Sequence, residues 1–162
     1  NAFITFTPAP GVTITTSTLV RSTNQTDPGF FGNWIAAGVT QFSFDVKHDV
    51  QGPVFFGARF ATPANNPAVN ATSFQSVAAG EWATVTIDIN PNSPQLDFQQ
   101  IDFNTLFSNV GNIQLVASVP PTGGPTPTLI NFEVDNIQII PTPASGLLLG
   151  GLGFAAARRR RA

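Results

Sequence analysis

Short runs in which apolar and polar residues alternate dominate this chain, and they restrict it to a fold built from β-strands. The clearest run is Thr40 to His48, in which Phe42, Phe44 and Val46 share one parity and polar residues share the other. Successive side chains of a strand point to opposite faces of a sheet, so such a run buries one face and exposes the other. The alternation therefore predicts half-buried strands.

Further segments follow the same pattern and are separated by turn residues. The predicted strands are residues 12–20, 40–48, 54–60, 82–89, 113–119 and 129–140. Gly52-Pro53 predicts a turn that joins residues 40–48 and 54–60 into a hairpin with a Phe-rich inner face. Residues 61–77 hold two prolines and three asparagines, which predicts mainly loop. Residues 120–127 also predict a loop, and the helical spacing of apolar residues in 103–110 predicts one short helix.

The last predicted strand contains a change of phase. Its apolar residues fall on even positions as far as Val134 and on odd positions from Ile137. A slip of one residue turns every side chain to the other face of a sheet, so a bulge or a change of sheet is expected near Asp135 and Asn136. About eight short strands without a long helix predict an all-β fold, a jelly-roll-like antiparallel sandwich of two sheets.

Charge is scarce and unevenly distributed. Charged residues make up 10% of the chain, and four of the seven basic residues are Arg158, Arg159, Arg160 and Arg161. The remainder is acidic and has no cluster of Lys and Arg of the kind that binds phosphates, which argues against a nucleic-acid partner. The absence of cysteine excludes disulfides and thiolate metal sites. The sequence begins at Asn1 and not at Met, so we expect that an N-terminal segment has been removed; a cleaved signal peptide is one explanation, and a sequence cut at this point would look the same.

The C-terminus differs abruptly in composition from the rest. Pro141-Thr142-Pro143 precedes the uncharged residues 144–157, which include the run GLLLGGLGFAAA, and Arg158 to Arg161 follow. A membrane-spanning helix needs about 20 apolar residues, with a lower limit of about 17. Residues 144–157 therefore predict a short hydrophobic helix that is a marginal membrane span, with its arginines on the cytoplasmic side. Such a segment would be a transient membrane contact, a plain C-terminal anchor or a terminus packed in an assembly.

These three parts together resemble the PEP-CTERM sorting tail of Gram-negative bacteria that make exopolysaccharide. The resemblance covers residues 141–162, and Thr142 stands where the family has Glu. It implies recognition by an exosortase-type membrane protease, cleavage near Pro141 to Pro143, and release of residues 1–140 to the outer surface or extracellular matrix. The stretches FSFDVKHDVQGPVFFGARF, EWATVTIDI and SNVGNIQLVAS are similar to PEP-CTERM proteins with a carbohydrate-binding-module-like jelly roll.

Few residues suggest a specific site. Trp34 and Trp82 offer aromatic faces on which a sugar could stack. The likeness to carbohydrate-binding jelly rolls implies a structural Ca²⁺ at Asp135. The single histidine, His48, is expected to be a hydrogen-bonded structural residue, and Arg59 to pair with a nearby acid. No nucleophile motif, phosphate loop or zinc motif is present, and no spacing singles out a pair among the nine acids, so an enzyme is not expected.

The sequence thus leads to two hypotheses of different classes. The first is an exported, non-enzymatic surface or matrix protein that associates with or binds exopolysaccharide. The alternative is a filament subunit joined to its neighbours by strand addition, for which low charge and sheet edges are suitable. Ala2 to Thr7 would be the donated strand and Pro8 to Gly11 the hinge.

Overall fold

The computed structural model describes residues 2–6, 17–25, 28–118 and 130–142. The described residues form nine strands, numbered in chain order: β1 Ala2–Phe6, β2 Ser17–Thr23, β3 Val39–His48, β4 Val54–Ala61, β5 Ala68–Val77, β6 Ala83–Asp88, β7 Leu96–Gln99, β8 Asn112–Ser118 and β9 Ile130–Pro141. Helix α1 spans Phe103–Phe107. The strands form a four-stranded sheet in the order β1-β9-β3-β6 and a five-stranded sheet in the order β2-β8-β4-β5-β7. All their pairings are antiparallel, which confirms the predicted sandwich.

Aromatic side chains fill the space between the two sheets. Trp34, Phe42, Phe60 and Phe107 are at most 2% exposed, and the Trp34 ring centroid lies 5.3 Å from that of Phe60 and 5.8 Å from that of Phe107. Each buried Phe or Leu stabilises a fold by roughly 1.5–3 kcal/mol relative to exposure. The alternation in the strand sequences supplies this core, because one parity of each strand faces the opposite sheet.

The hairpin predicted from residues 40–60 does not form. Strand β3 pairs with β6 and β9, whereas β4 pairs with β5 and β8 in the other sheet. The chain crosses between sheets after His48 instead of turning back within one. Each strand buries one face whether the two strands form a hairpin or lie in different sheets. The alternation could therefore not distinguish these two arrangements.

Two strands were missed. Residues 61–77 were predicted as loop, but both prolines and two of the three asparagines fall in residues 62–67, and β5 begins directly after Pro67. Several of the buried side chains of β5 are small, namely Ala68, Ala71 and Ser73, and this concealed its alternation. The four-residue strand β7, Leu96–Gln99, is too short to show a pattern.

The predicted bulge in the last strand is confirmed. The pairing of β3 with β9 jumps from Ser43↔Gln138 to Asp45↔Asp135, so two residues of β9 oppose Phe44. One of them, Asn136, has a φ of +50°, a conformation that Asn tolerates better than most residues. The bulge lets the apolar residues on both sides of it face the same core.

The predicted helix is also present but shorter than expected. It ends at Phe107, and its buried residues are Leu106 and Phe107. Asp102 caps its start: Thr105 N–H and the Thr105 hydroxyl donate to the Asp102 carboxylate over 2.9 and 2.6 Å. These bonds hold the pKa of Asp102 below its ordinary value of 3.8.

The sandwich extends to the start of the predicted tail. Pro141 is the last residue of β9, and Thr142 N–H donates to Gly38 O over 2.7 Å. Both residues therefore lie against the domain, although the sequence assigned them to the tail. Pro143, the hydrophobic residues 144–157 with their predicted helix, and Arg158 to Arg161 lie outside the described residues. Within the described ranges, no helix is long and apolar enough to cross a membrane.

Candidate ligand-binding groove

The two tryptophans occupy opposite environments. Trp34 is only 2% exposed, its Nε1–H donates to Phe30 O over 3.0 Å, and phenylalanine rings pack around it. The prediction that it offers a surface for sugar is therefore wrong, because the core needs its large apolar area. Trp82 directly precedes β6 and is 46% exposed, with Lys47 Nζ 5.9 Å from its ring centroid. Its role as a stacking platform remains a prediction.

The outer face of the four-stranded sheet carries most of the strand carboxylates, and we call it the acidic face. Its acids are Asp45, Asp88, Glu133 and Asp135. Several are already engaged: Lys47 Nζ lies 2.9 Å from Glu133 Oε1, and the Thr84 hydroxyl donates to Asp45 over 2.6 Å. Polar side chains on this face therefore largely bind one another.

Asp135 lies on the acidic face at the bulge of β9. Asn136 N–H donates to its carboxylate over 2.8 Å and holds the pKa of Asp135 below 3.8. Its cross-strand partner is Asp45, so two carboxylates are neighbours. The described residues contain no group of three or more acidic or histidine side chains suited to a metal, and Ca²⁺ takes 6–8 oxygens. Calcium at Asp135 remains a prediction, which a fall in melting temperature on chelation would support.

A groove of about 670 Å³ crosses the outer face of the five-stranded sheet. We call this surface the groove face. Strands β2, β8, β4 and β5 contribute the outward residues that line it: Thr18, Phe55, Gly57, Arg59, Asn70, Thr72, Phe74, Gln114, Val116 and Ser118. Ligand pockets typically have volumes of about 300–1,000 Å³ and combine apolar walls with a few polar groups. This groove has that size and that composition.

A bulge and a glycine create the depression. Gly57 pairs with Thr72 and Phe55 pairs with Ser76, so three residues of β5 intervene where β4 has one. Gln75 N–H donates to the Ser73 hydroxyl over 3.1 Å, which closes a local turn in the bulge. A Cβ atom at Gly57 would lie 2.1 Å from Ala71 O, so only glycine allows the two strands to approach. The floor of the groove is consequently bare backbone.

Two phenylalanines form the apolar end of the groove. Phe74 stands on the bulge and is 67% exposed, and Phe55 is 38% exposed. Large apolar side chains on a strand are normally turned inward, and here two exposed aromatic rings line one groove and form an apolar patch there. Sequence reasoning missed both. For Phe55 a signal was available, because this residue falls on the outward parity of β4. Phe74 gave no such signal, because its segment was predicted as loop.

The opposite end of the groove is polar and is held in place by the loop of residues 62–67. Arg59 donates from Nη1 to Asn65 Oδ1 over 3.1 Å and from Nη2 to Asn65 O over 2.8 Å. Gln114 Nε2 donates to the same Asn65 Oδ1 over 3.4 Å. The expected pairing of Arg59 with an acid is therefore wrong. Arg59 lies on the groove face, whereas Asp45 and Asp49 belong to the β3 side of the sandwich.

His48 is a core residue, as predicted. It is 2% exposed, and its Nε2 lies 2.9 Å from Val77 O. Since a carbonyl only accepts, Nε2 carries the hydrogen. Its Nδ1 is buried without a hydrogen-bond partner among the described residues, and the Phe56 and Phe132 rings lie beside it. The histidine packs between the sheets, and among the described residues neither of its ring nitrogens bonds to a carboxylate.

Comparisons with known proteins do not indicate what this chain binds or does. No family model matches the chain, and no curated protein matches it. Similar solved structures include infectious bursal disease virus Gt strain (13% identity, TM-score 0.44, covering 83% of this chain and 28% of that chain). The L4b domain of human laminin alpha-2 is also similar (9% identity, TM-score 0.47, covering 85% of this chain and 96% of that chain). At these identities and TM-scores, neither likeness indicates a function.

Proposed function

We propose that this chain is an exported, non-enzymatic protein of the cell surface or extracellular matrix that binds polysaccharide through the groove face. The observation that carries the proposal is the groove itself, with exposed Phe55 and Phe74 at one end and Arg59, Asn70 and Gln114 at the other. A sugar ring has an apolar face of C–H groups and an edge of hydroxyls. Aromatic rings match the first, and amide and guanidinium groups match the second.

The groove also has the shape that a polymer requires. It is open to solvent and lies across several strands, so a chain could enter and leave without threading. Its floor is rigid backbone and its walls come from strands of one sheet, so little ordering is needed on binding. These features favour a preformed site for an extended ligand.

Affinity electrophoresis of the full chain through gels that contain single polysaccharides tests the proposal. We expect at least one polysaccharide to retard the protein, and Phe74→Ala to reduce that retardation. Trp82→Ala is the matched control, since it removes an exposed aromatic ring from the other side of the sandwich. Retardation that is lost in Trp82→Ala and kept in Phe74→Ala would move the site to the acidic face. No retardation by any polysaccharide would contradict binding.

Export and sorting form a separate part of the proposal, supported by the resemblance of residues 141–162 to a PEP-CTERM tail. Intact mass of the native protein tests this part. A chain that ends near Pro141 to Pro143 is expected after processing. Full-length chains at the cell surface would contradict cleavage. Thr142→Glu introduces the acid that the PEP-CTERM motif has at this position, so we expect this variant to be processed at least as well.

A filament subunit is the second candidate, and β1 is the observation that favours it. Among the described strands, β1 lies at the edge of its sheet and pairs with β9. Phe3 on β1 is 66% exposed. An edge strand held on one side can be exchanged between copies. Electron microscopy of native material should then show fibres that disappear when residues 1–7 are deleted, and fibres that survive this deletion would exclude donation by β1.

A further inference from the structure

The basic side chains of the sandwich are concentrated on one surface. Seven basic residues minus the four at positions 158–161 leave Arg21, Lys47 and Arg59. Lys47 lies on the acidic face in an ion pair with Glu133. Both arginines lie on the five-stranded sheet. The groove face therefore differs in charge from the rest of an acidic domain.

The two arginines belong to a single row across that sheet. Arg21 pairs with Gln114, Gln114 with Arg59, and Arg59 with Asn70. Neighbouring strands lie about 4.8 Å apart, so the two arginine backbones are about 10 Å apart across Gln114. The row ends at Asp97, which pairs with Asn70 and is two strands away from Arg59. Arg59, Gln114 and Asn70 of this row line the polar end of the groove. Arg21 lies one strand beyond Gln114, and its Nη2 donates to Asn112 Oδ1 over 3.3 Å.

Arg59 keeps hydrogen-bonding capacity in this position. A guanidinium has five N–H donors, and two of them bind Asn65, which leaves three. Among the residues that the structure describes, Lys47 forms an ion pair with Glu133. Arg59, by contrast, donates its hydrogen bonds to the neutral residue Asn65. Asn65 thus fixes the plane of the guanidinium without neutralising it. A fixed, uncompensated guanidinium is suited to a carboxylate, which it can bind through two parallel hydrogen bonds.

We propose that the saccharide recognised by the groove is anionic, with a sugar carboxylate bound by Arg59 and flanked by Gln114 and Asn70. This inference rests on the proposed polysaccharide binding and narrows its ligand to uronate-containing chains. The sugar ring next to the bound carboxylate would extend over Gly57 toward Phe55 and Phe74. The four carboxylates of the acidic face point away from this ligand, and Asp97 is two strands away from Arg59. Repulsion of the ligand by these acids is therefore weakened by distance and by salt.

Binding of polygalacturonate and of its fully methyl-esterified form tests the inference, because the two polymers share a backbone and differ in charge. We expect the full chain to bind the free acid at least tenfold more tightly than the ester. Arg59→Gln should reduce that ratio to within about twofold, and 0.5 M NaCl should reduce it in the wild type. Lys47→Gln, which removes a positive charge from the acidic face, is the matched control and should keep the ratio.

The outcomes separate this inference from the proposed function. Equal affinity for the two polymers, or a ratio that survives Arg59→Gln, would overturn recognition of a carboxylate while polysaccharide binding stands. Binding of dextran sulfate without binding of polygalacturonate would also overturn it. Failure of every acidic and neutral polysaccharide to bind would contradict the proposed function itself. Should Arg59→Gln unfold, Arg21→Gln replaces it, with an expected fall in the ratio of at least threefold.

Discussion

The two outer faces of the sandwich are built from similar alternating strands, yet their outward side chains are organised differently. On the acidic face, outward groups bind one another, as in the pairs Lys47–Glu133 and Thr84–Asp45. On the groove face, a bulge and Gly57 open a depression, and Phe74 and Arg59 present an aromatic ring and a charge beside it. Polar groups of the groove face also bind one another, since Arg59 and Gln114 both donate to Asn65, but they do so beside an open depression. We therefore propose the groove face, and not the acidic face, as the binding surface.

The largest effect is expected from filling the floor of the groove. Gly57→Val places side-chain atoms where a Cβ alone would lie 2.1 Å from Ala71 O. Strands β4 and β5 must then separate, and we expect a loss of about 3 kcal/mol in the free energy of unfolding by urea denaturation. Thr86→Val on the acidic face is the control and should change stability by less than about 0.5 kcal/mol. Equal stability of both variants would contradict the close approach of the strands.

A smaller effect is expected from removing one aromatic ring from each face. Phe74→Ala should weaken binding of a polysaccharide ligand by about tenfold, equivalent to about 1.4 kcal/mol, because the ring forms the apolar wall of the groove. Trp82→Ala should change binding by less than about twofold. Isothermal titration calorimetry on both variants measures the difference. The reverse order of effects would transfer the site to the acidic face.

The loss of melting temperature at low pH should depend on the acidic face and not on the groove face. The N–H of Asn136 lowers the pKa of Asp135 in the folded chain, so folding favours its ionised form. That stabilisation is present above the ordinary pKa of 3.8 and is lost as pH falls through the lowered value. The wild-type melting temperature should fall between about pH 5 and about pH 3, a range that includes that pKa, and Asp135→Asn should make this fall smaller. Arg59→Gln should leave the decrease unchanged, because arginine stays charged throughout.

The smallest effect is expected at the ion pair of the acidic face. Lys47 and Glu133 are 33% and 26% exposed, and such pairs contribute about 0–1 kcal/mol. Lys47→Gln should accordingly shift the urea midpoint only slightly. A loss above about 2 kcal/mol would mean that the acidic face depends on this pair, and that its mutual pairing is a larger source of stability than we infer.

The sequence predicted the class of fold because alternation is a local property. Runs such as Thr40 to His48 indicate a buried face whichever strand lies alongside, and the parity change near Asp135 indicated a bulge. The sheet that each strand joins is a long-range property. Residues 40–60 therefore suggested a hairpin, whereas β3 and β4 lie in different sheets.

The groove was beyond the reach of the sequence for a related reason. The groove depends on the close approach of Gly57 on β4 to Ala71 on the neighbouring strand β5, and β5 was predicted to be loop. Aromatic content alone directed attention to Trp34 and Trp82, and Trp34 lies in the core. The useful signal was an aromatic residue on the outward parity of a strand, as at Phe55. Which outward residues converge required the register of β4, β5 and β8.

Amide chemical shifts of the ¹⁵N-labelled full chain, recorded during titration with oligogalacturonate, test the location of the site most directly. We expect the largest shifts on β4, β5 and β8 around Gly57, Arg59 and Gln114. Amides of β3 and β6 near Lys47 and Trp82 should change little. Shifts confined to Lys47, Trp82 and their neighbours would contradict the assignment of binding to the groove face.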